Sequence, residues 1–339
     1  MKTQTRTREH LLAAITQPDK ITWPLGMPRM AFAGEHARSS DTLVVIFLRG
    51  AADALNIVVP HGEEAYYQAR PTINIPRPDD SSASRKAIDL DGFFGLHPAL
   101  QPLQPIYAAG DLALVHATGI PHGSRSHFSA QGLLERGISD KFESNSGWLG
   151  RHLALATPPG GSAFRVVSIG NNVPVTLQGS SDTVAIDNFG NFGFEPDIID
   201  TGYPTVLENL FRSPAPFSEP ALTALASSGV LSAADPQASP PDNGAEYPRS
   251  SLGRKLAKSA QLIKSQSPVE VVGLDFDGWD HHENMPDRLQ RSLTELADGI
   301  SAFYTDMGTR MQRITLLVYT EFGRRVAAKA SSGTDHGTG

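Results

Sequence analysis

Four short apolar runs without polar alternation most constrain the fold: TLVVIFL (42 to 48), LALVHAT (112 to 118), VEVVGL (269 to 274) and ITLLVYT (314 to 320). A strand with one wet face alternates apolar and polar residues. A strand apolar at nearly every position needs cover on both faces, the condition inside a parallel sheet flanked by helices. Helical periodicity lies between and after the runs, in SHFSAQGLLERG from Ser126, SSLGRKLAKSAQLIKS from Ser250 and MPDRLQRSLTELADGISAFYTDMGTRM from Met285. This order predicts βαβ crossovers and hence an α/β fold with a mostly parallel sheet. Weaker strands are expected at 163 to 170, 173 to 179 and 182 to 188.

The remaining chain sorts around that framework. Residues 1–40 read as an N-terminal tail and 41–339 as a single α/β domain, with a Pro/Ser-rich cap or linker segment at 213–247. The final SSGTDHGTG stops on a Gly-rich polar turn, which reads as C-terminal truncation. The tail has no apolar run long enough for a signal-peptide core or a membrane span, so the chain reads as cytoplasmic as written.

A net charge of -7 without a basic stripe argues against a phosphate-backbone partner, so no nucleic acid is expected. The complete lack of cysteine excludes disulfides, thiolate nucleophiles and Cys-based metal sites. A metal here must rest on Asp, Glu and His.

Ligands of open parallel sheets bind beyond the carboxyl ends of the strands, and each strong run empties into a polar loop. Asp53 and Asn56 follow the first; His122, Ser124, Ser126 and His127 follow the second. The third leads into DFDGWDHHENM, and the fourth into Glu321, Arg324, Asp335 and His336. Asp280 and His282 stand two residues apart, which in extended chain turns both side chains to one side and suits a shared cation; Trp279 is expected to pack. A lone Asp after a strand, such as Asp53, is more often a helix cap or turn former. Ser126 opens a helix, where amide groups and the helix dipole favour an anionic substrate; it is a nucleophile candidate or an N-cap, or both. His127 could orient a phosphate or merely pack. Arg324, Arg125 and Arg49 could clamp an oxyanion. His97-Pro98 reads as a helix start with Leu96, Leu100 and Leu103 turned to the core.

The ordered set LVVIFLRGAADALNIVVP, GLHPALQPL, GDLALVHATGIPHGSRSHFSAQ, FDGWDHHENM and YTEFGRRVAAKASSGTDHGTG resembles the bacterial domain of unknown function 1501 family from about Thr42 to Gly339. That family in turn resembles the alkaline phosphatase and sulfatase superfamily, which implies a mostly parallel α/β sheet with a two-metal site at the strand ends. By that resemblance Asp53, Asp280, His282, Asp335 and His336 hold metal and Ser126 is the nucleophile; Arg324, read from its residue type alone, is the catalytic clamp candidate. Because YTEFGR follows the last strand directly, Glu321 is an alternative closing ligand to Asp335 and His336. GAAD and DHH stand where the family commonly reads GGAD and DTH, so His281 replaces a small hydroxyl residue. SRSHF does not fit the context in which a formylglycine is made, which argues against that class of sulfatase.

The expected function is therefore a metal-dependent hydrolase acting on a small anionic ester, a phosphate or a relative of one, with two divalent ions drawn from Zn, Mn or Mg. The rival is a non-catalytic binding or scaffold protein that keeps the fold and at most one structural metal.

Overall fold

Three of the four strong runs become neighbours in one sheet. In the computed structural model they are β1 (Thr42–Leu48), the strand Val271–Phe276 and the strand Ile314–Thr320, with two shorter strands, Val166–Ile169 and Thr183–Ile186, beyond them. Numbered along the chain these are β1 (Thr42–Leu48), β2 (Val166–Ile169), β3 (Thr183–Ile186), β4 (Val271–Phe276) and β5 (Ile314–Thr320). Their spatial order is β3-β2-β4-β1-β5, and every adjacent pair is parallel. The structure describes residues 41–120, 123–138, 144–155, 165–180, 183–189, 203–212, 218, 221–222, 225, 239–265 and 269–337. The expected N-terminal tail and most of the expected cap or linker segment lie outside the described residues.

Burial explains why β1 does not alternate. Val44, Ile46 and Leu48 join the main core with Leu252 and Leu256 of one helix and Leu289 and Leu293 of another, while Val45 joins Leu149 and Leu153 on the other side. Each such side chain contributes about 1.5–3 kcal/mol when fully buried. The covering helices are α1 (His127–Arg136), α2 (Trp148–Leu155), α3 (Ser251–Lys264) and α4 (Met285–Met307). The Ser250 hydroxyl starts α3 by accepting from the Gly253 amide at 3.1 Å, the satisfied cap expected of Ser at that place. Among the described residues no helix is long and apolar enough to cross a membrane.

Two expected strands are corrected. Residues 112–118 take no part in a β-ladder; Leu112 and Leu114 pack against the core, but Val115 is 71% exposed. Apolar content drew two alternate leucines inward without bringing a partner backbone alongside. Residues 173–179 instead carry one 3-10 turn, Val175–Leu177, because Pro174 at its start cannot donate to a ladder. The 97–103 segment behaves as expected: the His97 ring accepts from the Ala99 amide at 3.0 Å, and Leu96, Leu100 and Leu103 are buried.

The register sets the site. Leu48 is level with Phe276 on one side and Thr320 on the other. The loops that leave β1, β4 and β5 therefore emerge side by side from one edge of the sheet.

Candidate metal centre

Gly50, two residues after the end of β1, lets the β4 loop come close. With φ +124° it occupies backbone space that L side chains rarely adopt, and a Cβ there would lie 2.5 Å from the Asp280 nitrogen. Trp279 is fully buried beneath the loop, as expected, so the chain is anchored just before Asp280. Asp280 itself stays half-buried.

The β5 loop reaches the same place by folding back. Arg324 and His336 form an isolated antiparallel bridge, and the Arg325 amide donates to the Asp335 carbonyl at 2.9 Å. The returning segment is fastened to the β4 loop by bonds from the Asn284 amide to the Ser331 carbonyl, 3.1 Å, and from the Met285 amide to the Ser332 carbonyl, 2.8 Å. Gly333 permits the approach, since a Cβ there would fall 2.1 Å from the His282 carbonyl oxygen.

Helix α1 supplies the third wall. His127, Gln131 and Glu135 recur every four residues and so share one face. That face is turned inward, while Phe128 beside it is 89% exposed. Ala130 packs with Ala51 and Phe322, and the Phe322 ring stacks on His127 at 5.0 Å and meets His336 at 5.1 Å.

The β4 and β5 loops and α1 bring together His127, Asp280 and His336, whose ligand atoms all lie within 4.8 Å of one another. His127 Nε2 is 3.0 Å from His336 Nε2 and 3.4 Å from Asp280 Oδ2, and His336 Nε2 is 3.2 Å from Asp280 Oδ1. His282 Nε2 stands beside them, 2.9 Å from His336 Nε2 and 3.0 Å from Asp280 Oδ1. Donors around a zinc ion at 2.0–2.1 Å would be about 3.3 Å apart, so the spacings among His127, Asp280 and His336 suit one small cation. The imidazole-rich donor set favours zinc or a related transition ion over magnesium.

Electrostatics prepares the carboxylate. Burial alone would raise the Asp280 carboxyl, but the hydrogen bond from Arg324 and its charge outweigh it and hold it at about 2. Arg324 is itself buried, donating to the carbonyls of Ala51, Gly50 and Thr334 as well as to Asp280. Its guanidinium thus faces the protein and fixes Asp280. Burial, the largest cause, lowers the His282 ring below the usual imidazole range.

The other expected site residues fall around this group. Asp53 is 1% exposed, paired with Arg70 at 2.8 Å, and also accepts from the Thr334 hydroxyl at 3.1 Å. Glu321 is 1% exposed and accepts from Gly50, Gln131 and His127. Asp335 sits at the rim, 2.8 Å from Lys329 Nζ and 3.5 Å from His282 Nδ1. Ser126 is exposed at the start of α1, where its side chain makes no capping bond. His281 is 1% exposed; burial, the main cause, lowers it to about 4. It is a core residue, and its neighbour His282 is the one that stands beside the donor group. Arg49 is turned to Glu135 and Asp275, at 3.0 and 2.9 Å. His122 lies outside the described residues, and Arg125 contributes its carbonyl, to His336 Nδ1 at 2.8 Å.

His127 was open to two readings in the sequence, and its place among the donors is the main addition made by the structure. The available signal was the His127, Gln131, Glu135 spacing, which makes the buried face of α1 polar. Comparison with curated proteins and with solved structures finds no match. Residues 40–339 match the family described as Protein of unknown function (DUF1501), and the chain belongs to that family.

Proposed function

We propose that this protein is a metal-dependent hydrolase of phosphate or related esters, organised like the alkaline phosphatase and sulfatase superfamily. The observation that carries the reading is the convergence of His127, Asp280 and His336, with His282 alongside, beyond the carboxyl ends of three adjacent parallel strands. The reading takes one cation at this group. The oxygens of Asp53 and Glu321, expected to serve a metal, already accept hydrogen bonds from protein donors.

A divalent cation held there would supply electrophilic activation of an ester oxygen and offset negative charge developing on it. The chain's own residues set the stage for that chemistry. Arg324 keeps Asp280 ionised, Phe322 gives two imidazoles an apolar backing, and Ser126 at the opening of α1 offers an exposed hydroxyl next to His127. The amide groups of the first turn of α1 favour an anionic group at the same place. The substrate is a small anionic ester.

The test is elemental analysis of purified full-length protein followed by assay on a panel of phosphate and sulfate esters. The expected result is one transition ion per chain and turnover that chelation removes and the same ion restores. Protein that remains metal-free after exposure to zinc, manganese and cobalt overturns the reading.

A further inference from the structure

We infer that His127 is a ligand of the cation and that Glu321 is the positioning residue that aims it; this rests on the cation-dependent reading above. Glu321 would then stand behind the centre, acting through the His127 ring, rather than in it.

Three observations lead there. First, the Glu321 carboxylate is occupied. Its oxygens accept from the Gly50 amide at 2.9 and 3.2 Å, from Gln131 Nε2 at 2.9 Å and from His127 Nδ1 at 2.7 Å, and the Thr320 hydroxyl lies 2.9 Å away. A carboxylate has about four lone-pair positions, so these partners leave little to offer an ion. Gln131 is itself held: its amide oxygen accepts from Arg49 at 3.2 Å, which turns its NH2 toward Glu321.

Second, the acceptor fixes the tautomer. An ionised carboxylate can only accept, so His127 Nδ1 carries the proton of that bond, and a ring with one N–H then presents a bare lone pair at Nε2. The Arg125 carbonyl does the same for His336, accepting from its Nδ1 at 2.8 Å.

Third, the two bare Nε2 atoms then face each other at 3.0 Å, with Asp280 Oδ2 3.4 Å from that of His127 and Asp280 Oδ1 3.2 Å from that of His336. Lone pairs so arranged repel unless a positive charge lies between them. This is the carboxylate–histidine–metal arrangement, in which the outer acid fixes ring orientation and raises ligand basicity.

The experiment uses full-length protein stripped by chelator, titrated with Zn²⁺ against a chromophoric competitor and with Co²⁺ by visible absorption. Wild type is compared with Glu321→Gln, His127→Asn and the double variant. The expected result is a 10- to 100-fold (roughly) loss of Zn²⁺ affinity in Glu321→Gln, a changed Co²⁺ spectrum, and a double variant no weaker than His127→Asn alone. An unchanged Glu321→Gln affinity and spectrum overturns the proposal. So does a Glu321→Gln loss that persists in full without His127, because it would show action through general stability. If Glu321→Gln fails to fold, Glu321→Asp, which keeps the charge but draws it back from Nδ1, is read the same way. Wild type that takes up neither ion defeats the cation reading itself, a result distinct from the other two.

Discussion

His127 and His336 are 209 residues apart in sequence, yet their Nε2 atoms are 3.0 Å apart. Each ring is held from behind, by the Glu321 carboxylate and the Arg125 carbonyl respectively. Truncating the His336 side chain should therefore delete one cation ligand and leave the rest of the group standing. His336→Ala is expected to lose the thermal stabilisation that added zinc gives wild type, about 2.7 kcal/mol at a hundredfold excess over Kd. Thermal melts with and without zinc measure it; a stabilisation equal to wild type would count against His336.

Asp53 and Arg70 form a buried pair, 1% and 0% exposed. Breaking it from one side leaves an uncompensated charge in the interior, so Arg70→Met is expected to cost about 3–5 kcal/mol. Asp53→Asn should also lower the urea midpoint, while its zinc content stays at the wild-type level. Loss of zinc from the folded Asp53 variant would return that residue to the ligand set.

Ser126 occupies an N-cap position without making the cap bond. Ser126→Ala should then leave stability within about 0.5 kcal/mol of wild type, where loss of a working cap costs about 0.5–2 kcal/mol. Ester turnover is expected to fall sharply in the same variant. Chemical denaturation and initial rates on one preparation separate the two effects, and full turnover would remove Ser126 from the chemistry.

His97 and His281 give the fold an acid-sensitive interior. Burial, the first cause for both, lowers each ring to about 4. A folded value below the unfolded one, near 6.5, means the unfolded chain takes up protons first. Stability is thus complete above about pH 6.5 and declines as pH falls toward 4, by on the order of 3 kcal/mol per ring. His97→Asn, which retains a capping side chain, should flatten part of this slope in melts between pH 7 and 4.5. A slope identical to wild type would exclude His97 as a source.

The sheet was legible because burial on both faces is written into composition: Val44, Val45 and Ile46 have no polar neighbour between them. Pairing was less so, since the 112–118 run is also mostly apolar yet lacks a partner strand. In the site, the Asp280 and His282 pair could be read from a two-residue spacing, and His336 through the family resemblance. Commitments made across the fold could not. Arg70 lies 17 residues from Asp53, and Arg324 lies 44 from Asp280, so nothing local shows that one guanidinium neutralises a core acid and the other steadies a donor. His127 was half legible, its meaning dependent on which way α1 faces.

The fold-back that carries His336 onto the β4 loop has a consequence for how the molecule comes into being. The centre draws on positions 127, 280 and 336, so during synthesis an ion can be gripped only after the last of these has left the ribosome and docked. A bound ion would then join distant stretches of chain much as a cross-link does, discouraging this corner from reopening. Metal supply at that late moment, more than the fate of the sheet, would decide how firmly the finished loops stay closed.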